Sequence, residues 1–577
     1  MKKLPVQTAV ISLIVFFGLS KRTLAAGSDT LVVYASGPTL DQVINGDTTS
    51  TGQQAHSVYE LISLDTTYVF LGQISPKASF TVLGVLGPNG RPPCIQPGVL
   101  NDGSIPKTLF NLTRNSLTVR FKNLYIEDMS TNGSYTHPSY DVRVSADSDR
   151  VYIDNVVFDY NHGDVIGYTG NWGDFFITNC KFRNGVEPIV WTDSETFAPI
   201  WPSTPALDTV VMKYNTLFCD NGYACAPETP TRYVDFSHNS IVFLFMQPFW
   251  MFALNSAKID NNILYGAFVA GEMKSEYPWW DEEFSPALPS IISFDTMNVK
   301  SDSVFDPGDA GKPDWRMLAE AKRTVQVENN DWYEPSAITN LWTAWDDSAK
   351  GSDSLYTPAW MNTRTAHMFN DKTDWPGFIE SGNMMGVDPG YGSSFANVLT
   401  GGGSYGVGLL KYFMLIRTAQ APAIGWGYQI QSIPSGSTNW IPSWPLPEAA
   451  DMQYTNAVVK DGSTDGLPLG DPGWFTGGIT GVVQNPKFVP TGFTLSNNYP
   501  NPFNPSTVIR ASLDHSGDFS LKIYNVLGQL VKVVDRGYKQ PGVYTYDVNM
   551  DNFSSGVYFY TLRQGSHMMT KKMVLLK

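Results

Sequence analysis

Three observations predict an all-β chain: a right-handed parallel β-helix with loop insertions, followed by a small C-terminal β-sandwich. A short pattern recurs seven times between Phe121 and Tyr333. Its flanks alternate apolar and polar, which is a strand period and not a helix period. The last 85 or so residues form short alternating runs between Gly and Pro turns, as in a sandwich.

The pattern is an apolar residue, an Asn two or three places on, and a large apolar residue three after that. Its copies centre on Asn123, Asn155, Asn179, Asn215, Asn239, Asn262 and Asn330. Asn155 to Asn179 and Asn215 to Asn239 are 24 residues each, and Asn239 to Asn262 is 23. A fixed period in the twenties is a solenoid signal. Asn suits a corner because it tolerates the left-handed conformation. Stacked amides can also bond to one another as a ladder. The apolar residue lies two before Asn in the first three copies and three before it in the last four. This predicts a corner one residue wider after Asn179. The competing reading is a β-sandwich with coincidental Asn turns; Asn-Gly hairpin dipeptides are sparse between the copies, which disfavours it.

This repeat resembles the pectate-lyase-like β-helix superfamily over roughly half of the chain. That resemblance implies a fold. The superfamily holds polysaccharide lyases and hydrolases but also adhesins, so it does not by itself imply an activity.

Composition bounds the rest. The net charge is −15, which makes nucleic acid an unsuitable partner. Charged residues are 16% and aromatics 13%, unlike a disordered chain. Residues 1–26 read as a signal peptide: Lys2-Lys3, an apolar run from Val6 to Leu19, then Leu24-Ala25-Ala26. No other stretch is long and apolar enough for a membrane span. Residues 27–345 are assigned to the β-helix with an N-terminal cap, including a short helix over Leu40–Asn45. Residues 346–489 are assigned to an irregular accessory region that wraps or caps the far end, and 490–577 to the final domain. Helical character is expected at Lys312–Arg323 and Pro358–Phe369. Of four Cys, Cys219 and Cys225 are placed to close a small loop, and Cys180 to point inward.

Candidate chemistry sits on two neighbouring repeats. Asp164 to Tyr168 and Glu187 to Trp191 are 23 residues apart, which stacks Asp164 on Glu187 and Tyr168 on Trp191, about 5 Å apart. Paired carboxylates repel unless neutralised, so Asp164 and Glu187 are candidate Ca2+ ligands. Lys181 and Arg183 are the candidate bases for elimination from a uronate polymer, the mechanism the resemblance implies. Arg183 also lies one repeat from Asp159, which gives it a structural partner instead. Tyr168, Trp191, Trp279 and Trp280 are candidate sugar-stacking residues. Two of Asp164, Glu187 and Asp193 would serve a hydrolase if about 5–9.5 Å apart. His162 is expected on the surface. The Gly-rich run 393–408 reads as a loop, and Asp306–Asp314 departs from a calcium-loop spacing.

The end of the chain carries Tyr499-Pro-Asn-Pro-Phe503-Asn-Pro, then Gly528-Gln529, then Ser555-Gly-Val-Tyr-Phe-Tyr560, and closes on Lys571-Lys-Met-Val-Leu-Leu-Lys577. These resemble, in order, the type A C-terminal sorting domain of the type IX secretion system. The resemblance implies that machinery as a partner, outer-membrane passage, and a secreted or surface-attached product. Function is therefore expected to be binding of a polysaccharide, with or without cleavage; a non-catalytic adhesive or structural solenoid is the alternative.

Overall fold

The computed structural model describes residues 29–577 apart from 64–65, 88–89, 135–138, 186–195, 201–202, 204, 221, 228–229, 252, 270–271, 274–289, 298–302, 306–314, 350–354, 357, 402–407, 418–445, 476–493, 496–497, 499–500, 514–516, 540–541 and 565–566. It divides into two units, 1–471 and 472–577.

The first unit is built on parallel strand ladders that the chain visits in turn. The first ladder includes Phe80–Val85, the first half of Thr118–Glu127, the first half of Arg150–Asp159, Asp174–Thr178, Leu207–Lys213, Thr231–Ser237, Leu254–Asp260, Thr324–Glu328 and Phe378–Ser381. The second ladder takes the second halves of the two long strands, then Lys181–Gly185, Thr216–Asp220, Ser240–Val242, Ile263–Tyr265, Asp331–Tyr333 and Met384–Met385. A smaller ladder joins Thr108–Leu112, Ser139–Val144, Gly163–Tyr168 and Phe197–Pro199. The parallel sheet thus runs to Met385, beyond the expected boundary at 345. The first apolar residue of every copy falls on one inward row: Phe121, Ile153, Ile177, Met212, Phe236, Ile259 and Val327, each at most 1% exposed.

Between the two ladders, every copy turns through one left-handed residue. These are Asn123, Asn155, Asn179, Tyr214, His238, Asn261 and Asn329, with φ between 53° and 59°, followed by Gly382 at 65°. The corner does not widen. Ile177 faces Met212 before it and Lys181 faces Thr216 after it, so the two corners have equal length. What changes is the place of Asn. In the first three copies Asn is the left-handed residue, and the next position is apolar and buried: Leu124, Val156, Cys180. Later, an Asn occupies that buried position, and the left-handed one is taken by Tyr214 and His238, at about 1–2 kcal/mol each, and then by a second Asn, Asn261 or Asn329.

The moved asparagines form the expected amide ladder. The Oδ1 atoms of Asn239, Asn262, Asn330 and Asn383 each accept both the backbone N–H and the Nδ2 of the Asn one repeat earlier, at 2.8–3.1 Å. Each Nδ2 also donates to a backbone carbonyl of the preceding repeat, as from Asn262 to Phe236 O at 2.9 Å. Corner amides that strand pairing leaves over are thereby satisfied away from water.

Other expectations meet mixed fates. Leu40–Gly46 is helical, with Leu40 and Ile44 buried. Thr363–Asn370 is a helix, but among the described residues of 312–323 Trp315–Met317 is a strand and Glu320–Lys322 a 3-10 turn. Cys180 lies in the core. Cys219 and Cys225 are both free and fully buried, so they close no loop. Phe395–Thr400 is helical within the Gly-rich run. The signal peptide and Asp306–Asp314 lie outside the described residues.

The second unit holds two antiparallel sheets. One joins Thr494–Leu495, Ser506–Leu513 and Gly542–Asn549. The other orders Leu530–Lys539, Gly517–Asn525, Gly556–Gln564 and His567–Leu575. They share one core that includes Ile509, Leu521, Ile523, Tyr560 and Leu575. Gly528 closes its hairpin at φ 74°, donating to Asn525 O at 3.0 Å.

The amide ladder makes a sharp contrast between two asparagines. Asn262→Ala orphans buried partners above and below it, at about 1–3 kcal/mol each. Urea unfolding of the full chain should show a loss of roughly 3 kcal/mol or more. Asn155→Ala, at an exposed left-handed corner, should cost only about 1–2 kcal/mol.

Candidate functional site

The shift of Asn by one place moves the face on which its following residues lie. Three after Asn in the early copies is inward: Ile126, Phe158, Phe182. In the later copies, two after Asn is inward (Leu217, Ile241, Leu264), and three after is outward, on the row of Arg183. A one-residue offset on a strand exchanges its faces. Phe218, Val242, Tyr265 and Tyr333 are therefore outward, yet Phe218 is 1% and Val242 0% exposed.

They are covered by the unit's own later chain. Phe395 packs on Phe218 and Phe243 at 5.7 Å each, and Tyr391 on Tyr265 at 5.0 Å. Residues 446–471 run over the same face as a strap. Gly470 lies directly on the ladder: its N–H donates to Asn261 O at 2.8 Å, and a Cβ there would stand 2.4 Å from Ser240 Oγ. Its φ of +68° also favours glycine.

Both expected bases are fastened to this segment. Arg183 is buried and makes a bidentate pair with Glu448, Nε to Oε1 at 2.9 Å and Nη2 to Oε2 at 3.0 Å. Its Nη1 donates to Asp159, the partner one repeat away, which also accepts from Tyr125 Oη and, at 2.8 Å, from Asn184. Burial opposes the charge on Arg183, but Asp159 and Glu448 outweigh it and hold the guanidinium protonated. Lys181 Nζ donates to Asp471 Oδ2, which also accepts from Thr216 Oγ1 at 2.7 Å. A third contact joins His238 Nε2 to Asp465 Oδ2 at 2.8 Å. Burial works against ionisation of Asp465, and the hydrogen bond and charge of His238 overcome it, so its carboxyl is held below the usual range.

Tyr168 is fully buried against Phe175 and Phe197, with Pro199 opposite it in register, not Trp191. The insertion before Phe197 makes this gap 31 residues where 23 was expected. Asp164 is buried and its register partner is Tyr140. Glu187, Trp191, Asp193, Trp279 and Trp280 lie outside the described residues. His162 is fully buried, its Nδ1 2.7 Å from Tyr160 O, and not on the surface.

Sequence reading missed an acid group at the start of the smaller ladder. Asn161 Nδ2 donates to Asp128 and to Asp141, at 3.0 and 3.1 Å, and Ser139 Oγ donates to Asp128. Burial pushes the Asp128 carboxyl up to about 6, and burial with the charge of Asp128 pushes Asp141 well up. Glu127, beside Asp159 in register, is raised by burial and by that neighbour. Among the described residues, no three His, Cys, Asp or Glu are grouped to hold a metal ion.

Comparison with known families adds one finding, in the second unit. The model described as "Secretion system C-terminal sorting domain" matches residues 497–576. Residues 497–576 are a type IX secretion sorting domain. Such a domain implies interaction with the type IX machinery and a secreted or cell-surface protein. No pectate-lyase-like family model matches the parallel-sheet unit. No curated protein matches the chain. Among the described residues no helix is long and apolar enough to cross a membrane.

Two strap glycines separate close approach from backbone conformation. Gly466 has φ +81° with open space at its Cβ position, whereas Gly470 meets Ser240. In chemical unfolding, Gly466→Ala should cost about 1–2 kcal/mol for the left-handed residue alone. Gly470→Ala should cost clearly more, because the strap must lift. Equal losses would mean that Gly470 is not seated on the ladder.

Proposed function

We propose that the parallel ladders wind as a right-handed β-helix, and that this unit is carried to the cell surface as a non-catalytic binder of polysaccharide. The observation that carries the non-catalytic reading is the pairing of Arg183 with Glu448. A base that abstracts a proton must reach its substrate and lose its own proton. Arg183 is buried, doubly ion-paired and held protonated; Lys181 is fastened to Asp471 beside it. This argues against elimination through these residues, with or without Ca2+.

Binding is supported by destination and by the outer face of the first ladder. That face repeats polar pairs from strand to strand: Arg150 with Asp174 at 3.1 Å, Lys122 with Asp154 at 2.6 Å, Lys213 with Asp235 at 2.6 Å. Parallel strands repeat every 4.7–4.9 Å or so, a spacing suited to a polymer that also repeats. The solenoid stays the reading even if the polymer is only an attachment partner and the role is adhesive.

Incubation of the full chain with a panel of uronic-acid and neutral polysaccharides, with Ca2+ or with chelator, tests this. The expected result is retention on at least one polymer, with no growth of the ultraviolet absorbance of unsaturated sugar ends. A rise that Ca2+ supports and Lys181→Ala abolishes would replace the proposal by a lyase. No retention on any polymer would remove polysaccharide as the partner.

A further inference from the structure

Asp331 occupies an outward position of the second ladder, in the row Lys181, Thr216, Ser240, Ile263, Asp331. An outward carboxylate is normally wet. This one is 0% exposed, and neither oxygen has a hydrogen-bond partner among the described residues. Water is kept from it by the covering chain. The groups that face it are Asp388 and Tyr391 from the stretch after Met384–Met385, and Tyr454 from the strap, with Asp461 behind Tyr454. On the ladder, Tyr265 and Tyr333 flank Asp388, and Glu334 follows. Within its own row the cation is Lys181, four strands away. A carboxylate so placed is tolerated only with its proton on.

The other end of the strap is held by His238. Its Nδ1 is 3.1 Å from Pro468 O and its Nε2 2.8 Å from Asp465 Oδ2. The ring thus touches the strap through both of its nitrogens. Around this contact stand Tyr214, tilted against the ring at 5.6 Å, and Asp235, Asp260, Lys213 and Lys258 of the first ladder.

We propose that residues 446–471 are a reversible strap, closed in acid and lifted in alkali, with the buried, unpartnered carboxyl of Asp331 as the group that drives it off the second ladder. Opening parts Lys181 from Asp471 and Arg183 from Glu448 and makes both cations available to an anionic ligand. This goes beyond the binding reading and does not depend on which polymer, if any, is bound.

The direction follows from linkage. Burial first, and Asp388 second, push the Asp331 carboxyl up to about 8 in the closed form. Once wet, it returns to the ordinary carboxylate range. The closed form therefore binds a proton that the open form releases. The contribution of Asp331 to closure is complete below about pH 4 and is lost progressively as pH rises towards about 8. Each proton released shifts the open-to-closed ratio by up to about tenfold per pH unit.

The test uses the full chain with spin labels at Val458→Cys in the strap and Ile379→Cys on the ladder. Both positions are exposed, and the four native Cys are buried. One distance is expected at pH 6. At pH 9.5 a longer population should appear, grow roughly tenfold or more, and vanish on return to pH 6, while the far-ultraviolet strand signal stays constant. Asp331→Asn should keep the strap closed at pH 9.5, and His238→Gln should open it partly at pH 6. A distance unchanged from pH 6 to 9.5 overturns the proposal. So does opening that Asp331→Asn leaves untouched, or opening that accompanies loss of the strand signal.

Discussion

One left-handed residue at the same corner of every repeat is the constraint on which the first unit depends. It fixes where the chain leaves the first ladder and joins the second, so that rows stay in register over seven copies and beyond. The chain meets this demand in two ways. Early copies use Asn at the strained place and fill the next, inward place with an apolar side chain. Later copies set Asn inside, where its amide satisfies the corner backbone, and place Tyr214, His238, Asn261 or Asn329 at the left-handed position. The second solution exchanges about 1–2 kcal/mol of strain for a continuous column of buried hydrogen bonds.

The same shift has a consequence for the outer face. With Asn moved one place on, the apolar residues that follow it no longer share one side. Phe218, Val242 and the tyrosines after them turn outward. Such a stripe would be an exposed patch on a secreted protein. Tyr391, Phe395 and residues 446–471 cover it, and the contacts of Arg183, Lys181 and His238 fix the cover in place. The acids and bases of this region are thus explained first by the need to hold chain against chain. Breaking one such buried pair costs about 3–5 kcal/mol, because the abandoned charge stays buried.

Much of this was legible from residues alone. The period, the strand type, the stacking amides and the Asp159–Arg183 pairing all follow from Asn positions and the count between them. The sorting domain was legible because Pro, Gly and aromatic residues fall in a fixed order. The corner was misread because Asn serves two roles that share one letter: left-handed at Asn179, buried in a ladder at Asn215. Asn261-Asn262 and Asn329-Asn330, where both roles sit side by side, held the clue. Tyr168 was misplaced because an insertion before Phe197 changed the repeat length. The strap was illegible because Glu448 and Asp471 lie more than 250 residues from their partners, and no local pattern encodes such a contact.

The central claim is that Arg183 is an anchor for the covering chain and not a reagent. A double-mutant cycle on Arg183→Met and Glu448→Gln, read as unfolding free energy of the full chain, tests it most directly. The account predicts that the two substitutions couple by about 1.5–3 kcal/mol, the upper range for contacting residues. Additivity within about 0.5 kcal/mol would mean that the strap does not rest on Arg183, and would return that residue to the list of groups free to act.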